Sequence, residues 1–441
     1  MPMSAGFASR LRPVLRDAVE HFGTPFHLYD ETGISETCAH FNDVFSGMPF
    51  REYFAVKALP NPAVMSLLHG HGFGFDCSSL PELALAGQAG ARGHDVFFTS
   101  NNTSREELAA ARARSALINV DDVAVLAKLA DLTDGPGGED TLCLRINPGA
   151  LEGDDPFLGS PEHAKFGIPT HQLAHAVTMA RDLGVRHFGL HTMVASNALA
   201  VSSVVRTLDI LLRHAELVRD ETGVEIELLN LGGGIGIPYR PDERPFDLPA
   251  LGRALRRRLA DWTRAGARTW PVICFESGRY ITGPHGVLVT SVVNRMSKWR
   301  EYVGVDAGMS ALMRPGLYPT AYHHITAPWG DGRPSRTVDV VGSLCENSDK
   351  FGIDRHLPEV DEGDVLLVHD TGAHGHAMGY TYNGRMRPKE LLLRADGSVE
   401  LIRRAEEQEL DHFATLRFVP DRIPAPVPAA HAVHLREATA P

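Results

Sequence analysis

The sequence has no stretch of about 18 consecutive apolar residues, so no bilayer-spanning helix is expected. Its first segment, MPMSAGFASRLRPVLRD, lacks an apolar core followed by a small-residue cleavage site, which argues against an export signal. Cysteine is scarce: Cys38, Cys77, Cys143, Cys274 and Cys345 are odd in number, scattered, and without CxxC or Cys/His spacing. A disulfide framework and a metal site are therefore not expected. Positive charge is in deficit, with 43 Lys and Arg against 55 Asp and Glu and a formal net charge of −12. The one basic block, Arg256 to Arg258, falls on a predicted helix whose solvated face accounts for it, so no nucleic-acid surface is expected. The chain reads as a cytoplasmic protein without membrane or nucleic-acid partners.

Apolar residues, in contrast, make up 43% of the chain, enough for a large core without cross-links. Short β-rich runs alternate with helical periodicity: EYFAV (52–56), FGFD (73–76), DVFFTS (95–100), ALINV (116–120), TLCLRIN (141–147), RHFGLHTMV (186–194), EIELLNL (225–231) and PVICFE (271–276). Amphipathic segments such as 104–114, 170–183, 199–222 and 248–265 lie between them. This alternation predicts a closed (β/α)8 TIM-type barrel over residues 35–285. Beyond it the helices give way to GVLVTSVV, EYVGVD, RTVDVVG, DVLLVHD and ELLLRADGSVELI. These predict an α/β plus all-β chain, its second domain a β-sandwich or β-barrel built from 286–420 with 1–34, where FHLYD (26–30) supplies a strand. Residues 421–441, rich in Pro and Ala, read as a flexible tail.

In such a barrel the active site lies at the C-terminal ends of the strands. That rim collects Lys57 after the first strand, Asp76 ending the second, and Asn101 and Asn102 after the third. Arg145 and Asn147 end the fifth, Ser196 and Asn197 follow the sixth, Gly232, Gly233 and Gly234 the seventh, and Glu276 ends the eighth. Taken singly, each has a bland reading as a surface lysine, a tight turn or a core polar group. Their convergence on one rim does not.

The glycines of LNLGGGIGIPY (229–239) let backbone amides approach an anion, and Gly278 and Arg279 of ESGRY (276–280) add an amide and a guanidinium. Loops after the seventh and eighth barrel strands often hold a phosphate. If that phosphate belongs to pyridoxal phosphate, Lys57 supplies the Schiff-base amine and Glu276 the partner of the pyridine nitrogen. Lys57 ends an apolar strand, where partial desolvation favours the nucleophilic amine. A carboxylate beside the pyridine nitrogen keeps it protonated and the ring an electron sink, which favours decarboxylation over racemisation.

At these residues the sequence resembles the barrel-type (fold type III) pyridoxal-phosphate-dependent decarboxylases, most of all the diaminopimelate decarboxylases, from GTPFHLYDE (23–31) to YNGRMRPKELLL (382–393). YFAVKALPNP resembles the cofactor-lysine strand, GFDCSSLPEL the second-strand motif, LNLGGGIGIPY the phosphate loop, and ESGRYITGPHG the strand with the pyridine-binding Glu. VVGSLCENSDKFG (340–352) resembles the Cys-Glu segment that reaches into a neighbouring subunit. The resemblance implies a homodimer with shared active sites, Cys345 as the acid that reprotonates Cα, Glu346 on the distal substrate amine, and Tyr382 on the cofactor phosphate. Arg314 and Tyr318, in GMSALMRPGLYPTAYHH (308–324), match the pair that binds the far carboxylate of diaminopimelate, with Arg279 in support. A guanidinium suits a carboxylate and repels a tail that ends in an amine alone. The implied activity is decarboxylation of meso-diaminopimelate at its D centre to give L-lysine and carbon dioxide.

One segment departs from the pattern. In GLHTMVASNA (189–198), Met193 stands where a second His is usual, and Ala195 and Asn197 where Gly and Gln are usual. A Met can meet the cofactor ring through its polarizable sulfur, without polar groups. His191, which remains, reads equally as a core or an active-site residue. The departure keeps open a decarboxylase of another carboxylate-tailed amino acid from a siderophore or antibiotic pathway. Glu276 and the CENSD segment speak against an amino-acid racemase. The retained Lys57 and Cys345 speak against a non-catalytic, cofactor-binding regulatory relative.

Overall fold

The computed structural model describes residues 3–132, 141–150, 160–266 and 269–415, so the expected tail 421–441 lies outside the described residues. The first strand, β1 (Phe26–Asp30), belongs to the second domain. Next come β2 (Phe50–Ala55), β3 (Gly74–Cys77), β4 (Val96–Phe98), β5 (Leu117–Val120), β6 (Thr141–Asn147), the short β7 (Ile168–Pro169), β8 (His187–His191), β9 (Leu228–Asn230) and β10 (Val272–Phe275). Strands β2, β3, β4, β5, β6, β8, β9 and β10 are successive parallel neighbours, and β10 pairs back onto β2 with Ile273 opposite Phe50. The barrel is closed.

Side chains alternate along these strands, as a period of two requires. One set, Tyr53, Phe97, Leu117, Cys143, Leu228 and Cys274, packs as its own cluster. The alternate set, including Phe54, Phe75, Phe98, Leu144 and Phe275, packs with the helices in the large core. The helices start where short polar side chains can cap them. Ser104 and Glu107 form a capping box at Arg105–Arg112, and Asp122 accepts from the Ala124 N–H at Val123–Ala130.

The second domain comprises β11 (Gly286–Ser297), β12 (Glu301–Val305), β13 (Ile325–Thr326), β14 (Ser335–Val341), β15 (Lys350–Pro358), β16 (Val365–Val368), β17 (Lys389–Leu393) and β18 (Val399–Arg403). With β1 they make one nine-stranded mixed sheet. Strand β1 lies between β11, antiparallel with Phe26 opposite Val289, and β17, parallel with Phe26 opposite Lys389. Both faces of β11 are buried: Val287 and Val289 enter one apolar cluster, Leu288 and Val292 another. The helix Ala5–Phe22 covers the first cluster through Phe7, Leu11, Leu15 and Ala18. That spacing of three and four is the amphipathic pattern. Among the described residues no helix is long and apolar enough to cross a membrane.

Leu28 of β1 is fully buried in this cluster. Leu28→Ala is expected to lower the free energy of unfolding by about 2–5 kcal/mol in a denaturant titration. A loss near zero would mean that β1 adds nothing to the domain it completes.

Candidate active site

Barrel closure sets Glu52 of β2 opposite Phe275 of β10, so the residues that follow each strand meet at the rim. Lys57 lies in the short 3-10 turn Val56–Ala58, with its Nζ 3.9 Å from Asp76 Oδ2. Its side chain is 52% exposed, so the expected desolvation of the amine is not met. The lysine points into open space beside a buried acid. Burial and the nearby Glu276 charge push the Asp76 carboxyl well above its usual range, against the pull of Lys57.

Glu276, also buried, moves the other way. Burial pushes its carboxyl up, but His191, Lys57 and Arg145 outweigh that and hold it at about 2. Its Oε1 accepts from Asn230 Nδ2 at 2.9 Å and lies 3.5 Å from His191 Nε2. Asn230 turns its other end to the glycine loop, where Oδ1 accepts from the Gly232 N–H at 2.8 Å. The acid and the loop are thus oriented by one side chain that the sequence reading had passed over, a lone polar residue ending an apolar strand. An acid outside the expected set, Glu52, accepts from the Ser277 N–H at 2.5 Å; burial pushes it up to about 8 despite that bond.

The glycine loop needs its glycines. Gly232 and Gly234 have φ of 66° and 97°, in the left-handed region. A Cβ at Gly233 would stand 2.8 Å from the Glu276 carbonyl oxygen, and one at Gly234 would stand 2.4 Å from that of Ala195. A Cβ at Gly278 would meet Ala58 Cβ at 2.6 Å, so the ESGRY turn and the lysine turn are in contact. Asn197 Oδ1 accepts from the Ile237 N–H at 3.0 Å, and Ala198 and Gly234 are joined at 2.8 Å, which ties the segment holding Ser196 to the loop. Met193 packs against it too, since a Cβ at Gly232 would lie 3.0 Å from Met193 Cβ. Arg145 and Asn147, on the same rim, serve neighbours: Arg145 reaches Asp121 at 3.4 Å, and Asn147 holds the Pro161 and Phe166 carbonyls.

Arg314 opens the short helix Arg314–Leu317, and Tyr318 closes it by donating its N–H to the Arg314 carbonyl at 3.1 Å. The Arg314 guanidinium lies 4.0 Å over the ring of buried Tyr239, whose hydroxyl is also bound by Arg279. Arg314 Nη1 contacts His323 Nε2 at 3.1 Å. Because His323 Nδ1 must donate to the His369 carbonyl, Nε2 is the acceptor. His374 also enters the site. Its N–H donates to the Ala58 carbonyl at 2.8 Å, and burial followed by the charges of Arg279, Lys57 and Arg314 pushes its imidazole well below the usual range.

Cys345, Glu346 and Tyr382 are grouped elsewhere, on the surface of the second domain. Cys345 is exposed, Tyr382 is 45% exposed, and Glu346 raises the Tyr382 phenol. Among the described residues no hydrogen bond or ion pair joins these three to Lys57, Glu276 or the glycine loop. Tyr382, expected on the cofactor phosphate, is not brought to the glycine loop of its own chain.

The rim fits pyridoxal phosphate. Asp76 Oδ1 and His191 Nδ1 are buried without a hydrogen-bond partner, which is unusual for buried polar atoms and marks a polar guest's place. An ionised carboxylate stands for a pyridine nitrogen, a reachable amine for the aldehyde, and a glycine cradle for the phosphate. A (β/α)8 barrel carrying these groups on one rim defines a pyridoxal-phosphate-dependent lyase. The chain belongs to the pyridoxal-dependent decarboxylases, whose pyridoxal binding domain model matches residues 31–283. It is 48% identical over 420 residues to protein TabA of Pseudomonas amygdali pv. tabaci, covering 95% of this chain and 97% of that one. It is 36% identical over 397 residues to diaminopimelate decarboxylase of Methanothermobacter thermautotrophicus, covering 88% and 92%. The crystal structure of diaminopimelate decarboxylase from M. jannaschii superposes with a TM-score of 0.83 at 29% identity, covering 92% of this chain and 94% of that one.

Gly234→Ala, which sets a Cβ against the Ala195 carbonyl at an unfavourable φ, is expected to weaken cofactor retention. The check is cofactor content after dialysis; a full complement would show that the loop tolerates the side chain and does not cradle the phosphate.

Proposed function

We propose that this enzyme decarboxylates an amino acid bearing a second carboxylate at its far end, with meso-diaminopimelate giving L-lysine and carbon dioxide as the first assignment. One observation carries the reading. Arg314 is 3% exposed; the Tyr322 carbonyl, His323 and the face of Tyr239 hold it, and the buried Asp370 acts on it through charge, with no ion pair between the two among the described residues. A guanidinium buried without a carboxylate paired directly to it is costly, and a substrate carboxylate can supply that pairing. Arg279, on the same phenol, supports it. A structure of the Helicobacter pylori diaminopimelate decarboxylase complexed with L-lysine superposes with a TM-score of 0.80 at 28% identity, which is consistent with a product of this kind.

Pyridoxal phosphate, when bound, supplies the electron sink for the bond between Cα and the departing carboxylate. Lys57 would hold it, the ionised Glu276 would serve its ring nitrogen, and Asp76, Ser196, Gly232, Gly233, Gly234, Gly278 and Arg279 would line it. Arg314 and Tyr318 fix the far carboxylate and so choose which end of the substrate faces Lys57. In a homodimer Cys345 of one copy delivers a proton to Cα in the other, and Glu346 takes the distal amine; their exposure on the second domain suits that task. Residues 35–285 then form the cofactor domain, and 1–34 with 286–420 the domain that reaches across.

A different carboxylate-tailed amino acid is a second reading, favoured by Met193. It lines a cavity of about 50 Å³ with Thr192, Val194 and Phe166, mostly apolar where an imidazole would be polar.

Carbon dioxide release, measured across meso-diaminopimelate, lysine, ornithine, arginine and carboxylated diamines, is expected only from substrates with the distal carboxylate. Epimerisation without gas would overturn the decarboxylase assignment for this chain. Arg314→Ala is expected to lower kcat/KM by about 10- to 100-fold, mainly through KM, the scale of one lost charged hydrogen bond. Unchanged kinetics would remove Arg314 from substrate recognition.

A further inference from the structure

The turn after Lys57 is held from outside the barrel. Of the four residues that follow the lysine, three are bonded by the second domain. The Ala58 carbonyl accepts from the His374 N–H at 2.8 Å, and the Pro60 carbonyl from Arg403 Nη2 at 2.7 Å. Asn61 Nδ2 donates to Glu390 Oε2 at 3.0 Å. Asn61 also caps the helix Pro62–Gly70 by accepting from the Ala63 N–H at 3.0 Å, so the bond to Glu390 uses the end of the amide that the cap leaves spare.

Two of these three anchors run through one side chain. Glu390, on β17, is 1% exposed and pairs with Arg403 on β18, the same arginine that holds Pro60. Its other oxygen accepts from the Tyr29 hydroxyl of β1 at 2.5 Å. Burial pushes the Glu390 carboxyl up, but His376, Arg403 and the donors Tyr29 and Asn61 outweigh that and hold it at about 2, so it stays ionised at any working pH. A buried carboxylate with donors from three separate segments has one geometry that satisfies it, and the segments are fixed relative to each other by it.

We propose that Glu390 is a positioning residue for the reaction, fixing the Lys57 turn through Asn61 and Arg403 so that the amine is presented at the Asp76 and Glu276 wall. The proposal rests on Lys57 being the cofactor lysine. Glu390 touches neither cofactor nor substrate; it acts through the backbone that carries the lysine. Loosening this turn tilts the amine while leaving the Arg314 wall in place, so it affects the chemical step and spares substrate binding.

The experiment compares the holoenzyme with Asn61→Ser and Glu390→Gln. Serine keeps an oxygen for the helix cap and is too short to reach Glu390; glutamine keeps the size of Glu390 and removes its charge. Each is read by the pH titration of the bound cofactor's visible absorbance, by kcat and KM, and by hydrogen exchange across residues 56–61. The expected result is a shifted spectral midpoint, faster exchange confined to that turn, and a kcat lowered about tenfold or more with KM changed less than about twofold. A wild-type spectral midpoint and kcat in Asn61→Ser, whatever its melting temperature, would overturn the proposal and leave Glu390 a structural residue. If Glu390→Gln does not fold, Asn61→Ser alone decides. Lys57→Ala tests the underlying reading separately: a retained visible absorbance there would sink the lysine assignment and the proposal with it, whereas absorbance lost in Lys57→Ala beside wild-type behaviour of Asn61→Ser would sink the positioning role alone.

Discussion

Everything at the active rim depends on the pairing of β10 with β2. It is the closure of the barrel, and it brings residues more than 200 positions apart into one wall. Without it, Lys57 and Glu276 would sit on opposite edges of an open sheet. With it, the lysine turn and the ESGRY turn are close enough that only glycine fits at position 278. A parallel barrel points all its strand ends the same way, so one closure assembles amine, acid and glycine loop together.

The electrostatics follow from that crowding. Three acids, Glu52, Asp76 and Glu276, lie close enough to influence one another, and the structure separates them by their partners. Glu276 has His191, Lys57 and Arg145 around it and stays charged. Glu52 is held by Ser277, with no cation among its named influences, and Asp76 has Lys57 at 3.9 Å against the cost of burial. Such divergence among neighbouring carboxyls is what a site needs if one is to hold a cationic ring nitrogen without the others competing for it.

The barrel was legible in the sequence because its strands are short apolar runs between amphipathic segments, and every expected strand has its counterpart. The rim was legible for the same reason: a strand end can be counted. Asn230, Glu52, Tyr239 and His374 were not, because each has partners distant in sequence. Glu52 is read only against Ser277, Tyr239 against Arg279 and Arg314, and His374 against Ala58. Strand β15 was missed because Gly352 and its exposed neighbours Ile353 and Asp354 break the alternation that marks a half-buried strand. The sixth-strand departure was visible at once, yet what it does shows only in space. Met193 and Asn197 both pack on the glycine loop, so the unusual residues touch the loop to which the cofactor phosphate is assigned under the proposed function.

The splicing of β1 between β11 and β17 imposes an order of events on a newly made chain. Residues 26–30 are made before the barrel, while both of their hydrogen-bonding neighbours, at 286–289 and 389–393, are made after it. Throughout synthesis of the barrel this apolar strand has two open edges, a template for pairing with other chains. The helix Ala5–Phe22 buries its apolar face on the same cluster and can shelter the strand while it waits. Seen this way the N-terminal helix is a guard for an unfinished sheet as well as part of the finished one.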